Sequence, residues 1–496
     1  MKAGTRPPGW LVALLLLLAF SFQGTRGIWE PDEGRYSAVG INMLESGDWL
    51  VPTADGEHPH LTKPPVTYWA LAASFGLLGM SEWAARLPGA LAFVSTGLLV
   101  FGLGRRLCPS RPWLPALVHG LSLAPFIGAN VVSTDVVLTF FETAAMFAFV
   151  EAWHGGGAPD RRWIRVMWLA WALAFMTKGP PGLLPLLAVV LLLAWRDRPA
   201  LRRLFDPLGL LLFGVVGLTW YAMIVAQDPG RLGYFLGYEV FDRVFTATHQ
   251  RNAQWYGGFE MYLPVLLIGS LPWWIPALAA AGGPGRAGGT MRARIRARDR
   301  EWLLLLAWFL VPLSVFMLAR SRLHLYVLPL FVPLSIMLAR PLAAWPWLTT
   351  RRVAWIAAAT AVALVSFKGA LAHWPNNRDA RAMARAIERI LDPRDIDEIA
   401  FVDMRPFYGL SLYLDVHAEA IRLDERRPVL SRYVSEEGLC AEIAEREANV
   451  YALKEDRTAR FIAGVRHCTA RDPEPIGAFM ADDNRIVLYT VAAPVP

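Results

Sequence analysis

The chain reads as an α-helical integral membrane protein followed by a small C-terminal α/β domain. Three observations carry that reading. Of its 496 residues 55% are hydrophobic and the mean hydropathy is +0.35, too apolar for an ordinary soluble enzyme. Apolar runs that fit a bilayer recur through the first three quarters of the chain. Beyond Leu371 they stop, and more than half of the 42 acidic residues fall between Asp379 and Asp483. The 21 tryptophans and 36 prolines fit the same class, since Trp collects at membrane interfaces and Pro is tolerated in spanning helices.

Apolar stretches at 10–24, 87–104, 113–129, 136–153, 163–177, 180–195, 208–226, 262–281, 302–319, 324–340 and 353–371 predict spans, about 11–13 in all once short or broken runs are allowed for. The first run follows Lys2 and Arg6 but has no convincing small-x-small cleavage site, so it reads as an uncleaved span. The stretch 66–79 reads as a membrane-skimming loop, with a true span as the alternative.

Arginines gather in alternate loops, at 105–111, 161–165, 196–203, 286–300 and 340–352. Such a bias marks the cytoplasmic side. The net charge of +7 is therefore spent on topology and anionic membrane lipid, and the run Arg292–Arg300 is no nucleic-acid site. An odd number of spans then places residues 372–496 outside, as a soluble periplasmic domain behind a membrane-embedded domain of residues 1–371. Helix-like segments 378–391 and 435–447 alternate there with strand-like 398–403, 416–422, 449–453 and 485–491. Cys440 and Cys468 share this domain and form either a disulfide, as an oxidising compartment allows, or two unpaired thiols. Cys108 lies near a cytoplasmic span end and reads as inert.

The opposite loops carry few basic residues, so those present call for another reason, and phosphate binding is the natural one. Glu30-Pro-Asp32-Glu33-Gly-Arg35-Tyr36 crowds charges just after the first span, and Leu61-Thr62-Lys63-Pro64-Pro65 follows. Ionisable groups at a membrane boundary are functional suspects, whereas a plain juxtamembrane anchor rarely places Asp-Glu beside Pro-Pro and aromatics. Ser133-Thr134-Asp135 opens a span, where Asp135 is either a site carboxylate or an N-cap. Lys178 in Thr177-Lys178-Gly179-Pro180-Pro181 either binds an anion or snorkels. Glu239, Asp242, Arg243, His249 and Arg251 occupy the loop between spans seven and eight, and Ser321-Arg322-Leu-His324-Leu-Tyr326 begins the tenth.

The order Asp-Glu-x-Arg-Tyr, Gly47-Asp48-Trp49-Leu50-Val51-Pro52, Lys-Pro-Pro with Tyr68-Trp69, Ser81-Glu82-Trp83-Ala-Ala-Arg86-Leu-Pro88, Thr134-Asp135, Lys178-Gly179-Pro180 and Leu271-Pro272-Trp273 resembles the polyprenyl-phosphate-sugar-dependent glycosyltransferases. Within that GT-C class it is similar to the aminoarabinose (lipid A) transferases and their relatives near the protein mannosyltransferases. The resemblance covers the whole membrane region. It implies a GT-C-like fold in the bacterial inner membrane, with the active face toward the periplasm. The donor would be a sugar on undecaprenyl phosphate, the acceptor lipid A, another envelope glycolipid or a protein hydroxyl, and the transfer inverting. Asp32, with Glu33 beside it, and Asp135 would be the catalytic carboxylates. Lys63, Arg86, Arg243, Arg322 and Tyr326 would hold the donor phosphate. A divalent cation on Asp32, Glu33 and His249 is a further expectation. Relatives often place an acidic residue before the Lys-Pro-Pro lysine, and this chain has Thr62, which weakens the case for a metal. A transporter or flippase is the competing class. Against it, the charges cluster at one rim and no paired, interrupted helices occupy matching halves.

Overall fold

The computed structural model describes residues 6–154, 158–246, 248, 251–282, 299–423, 437–445 and 448–491. These form two compact units. One holds Met1–Gln23, Lys63–Thr67 and Pro88–Gly369, and the other Gly24–Thr62, Tyr68–Leu87 and Ala370–Pro496. His249 and the arginine run from 292 to 298 lie outside the described residues.

In the first unit hydrophobic helices bury one large apolar core that includes Leu15, Phe93, Leu117, Met146, Trp171, Trp308 and Phe331. Among the described residues six helices are long and apolar enough to cross a membrane: Glu82–Leu107, Thr134–Trp153, Pro207–Gln227, Arg300–Leu318, His324–Ala344 and Thr350–His373. A seventh candidate is the pair Gly257–Gly269 and Trp274–Ala281, bent by 81° where Pro272 interrupts the helix. Three shorter apolar helices accompany them, Gly9–Phe20, Val66–Leu78 and Pro180–Arg196. The protein is thus a multi-pass membrane protein whose regular spans are fewer than the apolar runs suggested. The physical reason is local. The run 113–129 breaks into Leu114–Gly120 and Leu123–Ala129, and Arg161–Lys178 opens on three arginines within its first five residues. The stretch 66–79 holds the 13-residue helix Val66–Leu78, shorter than the six spanning candidates. Helix starts follow capping chemistry: the side chains of Ser133, Asp160 and Asp299 accept first-turn N–H groups, donors that have no intrahelical partner.

The second unit contains a six-stranded sheet of β1 (Glu398–Val402), β2 (His417–Arg422), β3 (Glu437–Gly438), β4 (Val450–Lys454), β5 (Glu474–Ala481) and β6 (Asn484–Thr490), in the order β3-β2-β1-β4-β6-β5. β1 runs parallel to β2 and β4, and β6 pairs antiparallel with both β4 and β5. As the central parallel strand, β1 is buried along its whole length, because helices cover both faces. Ile399 and Phe401 enter one core and Ala400 and Val402 the other, the period of two expected of a strand. β5 was not legible as a strand, since Asp482 and Asp483 close the β5–β6 turn with positive φ, a weaker hairpin signal than Asn-Gly. A disulfide joins Cys440 and Cys468, settling the open alternative. The unit also takes in the first polar segment: Trp29 bridges Asp379, Glu30 N–H donates to the Arg378 carbonyl at 2.9 Å, and Ala380 N–H to that of Ile28 at 2.9 Å.

Candidate functional site

The sequence-derived candidates fall into the two units. Asp32, Glu33 and Arg86 belong to one, and Lys63, Asp135, Arg243, Arg322 and Tyr326 to the other.

Asp32 and Glu33 are adjacent yet face opposite surroundings, because successive helix positions point about 100° apart. They open the helix Asp32–Ser46, whose N-terminus favours negative charge. Glu33 is buried and enclosed by donors. Arg26 reaches both its oxygens at 2.7 and 2.9 Å, Arg86 both at 3.2 Å, and the Trp29 N–H donates at 2.9 Å. Burial alone would raise its pKa, but the two guanidiniums overcome this and hold it at about 2. Arg86, also buried, gives its remaining donors to the carbonyls of Arg26 and Gly27, both at 2.7 Å. Both residues are thus engaged in a structural knot. Asp32 is different: its carboxylate is more than half exposed and, among the described residues, meets Arg35 one turn on. It is the carboxylate of this pair that solvent or substrate can reach.

Glu30, not singled out from sequence, is the third carboxylate here. It is buried, takes the Gly409 N–H on Oε1, and its Oε2 has no partner among the described residues. Burial pushes its pKa up to about 8 despite that hydrogen bond. Gly34 is required above it, since a Cβ there would collide with the Glu30 carboxyl. A further buried carboxylate, Asp55, is also new. It accepts the N–H groups of Glu57 and His58 at 3.1 and 2.8 Å and lies 3.3 Å from the His58 ring, an Asx-type turn that fixes the loop. Its pKa is lowered, these hydrogen bonds outweighing burial.

In the other unit, Ser133 rather than Asp135 caps the helix Thr134–Trp153: its Oγ accepts the Asp135 N–H at 3.0 Å. The Asp135 carboxylate accepts the Ser133 hydroxyl on Oδ2 at 3.1 Å and pairs through Oδ1 with the buried ammonium of Lys178. The same ammonium sits 4.0 Å above the Tyr326 ring, a cation–π contact strengthened by burial. Lys178 therefore does not snorkel. Its Lys-Gly-Pro setting parallels Lys63-Pro-Pro, the signal that would have placed it in the site. Glu142, two turns further along the same helix, is buried as well and interacts electrostatically with Lys178 and Asp135.

The remaining phosphate candidates have mixed settings. Arg322 spends both terminal nitrogens on the carbonyls of Asn252, Gln254 and Met317, at 2.5 to 3.0 Å, so it staples backbone. Arg243 is bidentate to Glu239 at 2.8 and 2.9 Å. Its Nη1 stays buried without a partner among the described residues. Lys63 is half-buried. For a metal, Glu33 is already saturated by five donors, His249 is outside the described residues, and no group of three His, Cys, Asp or Glu suited to an ion occurs among those described. Asp32 alone of the expected cation ligands has an open carboxylate among the described residues.

Residues 62–226 match the family described as dolichyl-phosphate-mannose-protein mannosyltransferase. An undecaprenyl phosphate-alpha-4-amino-4-deoxy-L-arabinose arabinosyl transferase of Edwardsiella ictaluri is 33% identical over 340 residues, which make up 67% of this chain and 59% of that protein. The first of two such transferases of Sodalis glossinidius is 36% identical over 327 residues, 63% of this chain and 55% of the relative. The chain thus spans less than two thirds of the length of these relatives. The crystal structure of ArnT from Cupriavidus metallidurans bound to undecaprenyl phosphate superposes with a TM-score of 0.76 at 19% identity, over 98% of each chain. The chain has the helical GT-C membrane fold of that structure.

Proposed function

We propose that the protein is a membrane glycosyltransferase that moves a sugar from an undecaprenyl-phosphate carrier to lipid A or another cell-envelope glycolipid, with inversion. The observation that carries this reading is the division of labour between Asp32 and Glu33. A saturated Glu33 knot holds the helix start and leaves Asp32 accessible, in a motif that resembles that of the aminoarabinose transferases. In the reaction the anomeric carbon–oxygen bond to the carrier phosphate breaks while an acceptor oxygen bonds to that carbon from the opposite side. The leaving polyprenyl phosphate gains charge, which a cationic side chain must neutralise, and Lys63 and Arg243 are the candidates within their own unit. A phosphate acceptor is already ionised, so Asp32 then orients it. With a hydroxyl acceptor Asp32 takes the proton. Asp135, Lys178 and Tyr326 form a second preorganised charge group for the donor.

The work takes place at the periplasmic face of the inner membrane. The arginine asymmetry supports that orientation, and so does the Cys440–Cys468 disulfide, which needs an oxidising compartment. The test is purified protein in detergent, given undecaprenyl-phosphate aminoarabinose and lipid A, with mass spectrometry of the acceptor. An added pentose mass that Asp32→Asn abolishes supports the reading, and an intact donor with unmodified lipid A defeats it. The description of the family matched by residues 62–226 favours a second reading, transfer to protein hydroxyls. A Ser/Thr peptide in the same assay distinguishes the two.

A further inference from the structure

We infer that Arg381, Glu82 and Tyr413 form a clamp that positions the loop of Asp32 for the reaction. The inference rests on the transferase reading above and adds residues to it. Glu82 Oε1 receives Arg381 through Nε at 2.8 Å and again through Nη2, and it receives the Tyr413 hydroxyl at 2.8 Å. The Tyr413 oxygen in turn accepts the Ile28 N–H at 3.0 Å. Arg381 also donates to the carbonyls of Thr25 and Gly24 at 3.1 and 3.2 Å. Three distant stretches of one unit therefore grip residues 24–28 from the side.

The gripped segment is the one that shapes the Glu33 knot. Arg26 supplies two of the donors to Glu33, Trp29 N–H supplies a third, and the carbonyls of Arg26 and Gly27 hold Arg86. Gly27 passes so close to Asp379 that a Cβ there would overlap its carboxylate. Among the described residues, the side chain of Asp32 is held by that of Arg35. Its position is set by the backbone beneath it, and that backbone is set by the clamp. None of the three residues need touch substrate. They are positioning residues, and their loss acts on turnover more than on donor affinity, because a displaced carboxylate still lets the lipid bind.

The experiment uses the full-length protein with Tyr413→Phe, Arg381→Met and Arg381→Lys. Donor kinetics are measured together with amide hydrogen exchange. Tyr413→Phe and Arg381→Met should lower kcat about tenfold or more while KM for the donor stays within about twofold. Arg381→Lys, which keeps the charge on Glu82, should recover most of that loss. Exchange of the Ile28 and Glu30 amides should speed up in Tyr413→Phe while that of Phe401 in β1 is unchanged. Unaltered exchange at 28–30, or accelerated exchange with normal kcat, overturns the inference. Equal loss in Arg381→Lys and Arg381→Met also counts against it. If wild-type protein transfers no sugar from the carrier, the function reading fails, while the exchange data still judge the clamp.

Discussion

Arg86 and Glu33 meet as a buried pair, Nε to Oε1 and Nη2 to Oε2, each at 3.2 Å. Both residues stood among the functional candidates, one for phosphate and one for catalysis. Their mutual engagement makes them the support on which Asp32 stands. The support matters energetically because a buried charge that loses its partner is left uncompensated.

Glu33→Gln and Arg86→Met should each destabilise the protein by about 3–5 kcal/mol, the usual consequence of removing one member of a buried ion pair. Thermal unfolding in detergent checks this. A change under about 1 kcal/mol would return both residues to the list of reacting groups.

Asp32→Asn should abolish transfer and leave stability nearly unchanged. Its partner Arg35 lies one turn away with a side chain 26% exposed, against 56% for Asp32, and a pair so open to water on the Asp32 side contributes about 1 kcal/mol or less. Equal melting temperatures with a turnover loss of about a hundredfold or more are the expected pair of readings.

Lys178→Met should be worse for folding than Asp135→Asn, since it strands a buried carboxylate, whereas the amide keeps the Ser133 cap intact. The double variant should regain stability relative to Lys178→Met but not activity. A melting series of the three proteins, read as a double-mutant cycle, decides it.

Lys63→Ala should weaken use of the donor lipid strongly, and Lys63→Arg should restore it only in part, because a guanidinium is broader than an ammonium. Donor kinetics give the answer. Unchanged affinity and turnover would shift the phosphate site to Arg243.

Glu30 predicts a pH dependence of stability. Its folded pKa of about 8 lies above its ordinary 4.5, so the folded state holds a proton the unfolded state releases. Its favourable contribution is complete below about pH 4.5 and is lost as pH rises through about 8, an upper limit on the order of 5 kcal/mol. Glu30→Gln keeps an acceptor for the Gly409 N–H and should flatten this decline. Unfolding midpoints of both proteins between pH 5 and 9 check the sign.

Reading the membrane class from sequence was secure because apolar length and arginine bias are local properties of the chain. The central strands were equally legible, β1 and β4 from nearly continuous apolar runs and β2 from apolar residues interspersed with polar ones. β5 and the helix Thr458–Thr469 were not, the first for its unusual turn and the second for its mixed polar composition. In the site, the motif around residue 32 announced charged residues but not their partners. Nothing in the letters Asp-Glu distinguishes the member that Arg26 and Arg86 enclose from the one that solvent reaches.

Sequence alone thus determined the solvent in which the chain folds, the polar loops that carry its chemistry and the residue types available for phosphate and proton work. Only the tertiary structure decided which charges neutralise one another. Arg86 lies 53 residues from Glu33, Lys178 lies 43 from Asp135, and Arg381 lies 299 from Glu82. Coulomb energy depends on distance in space and on the dielectric around the pair. Both are set by packing, which no local pattern of residues encodes.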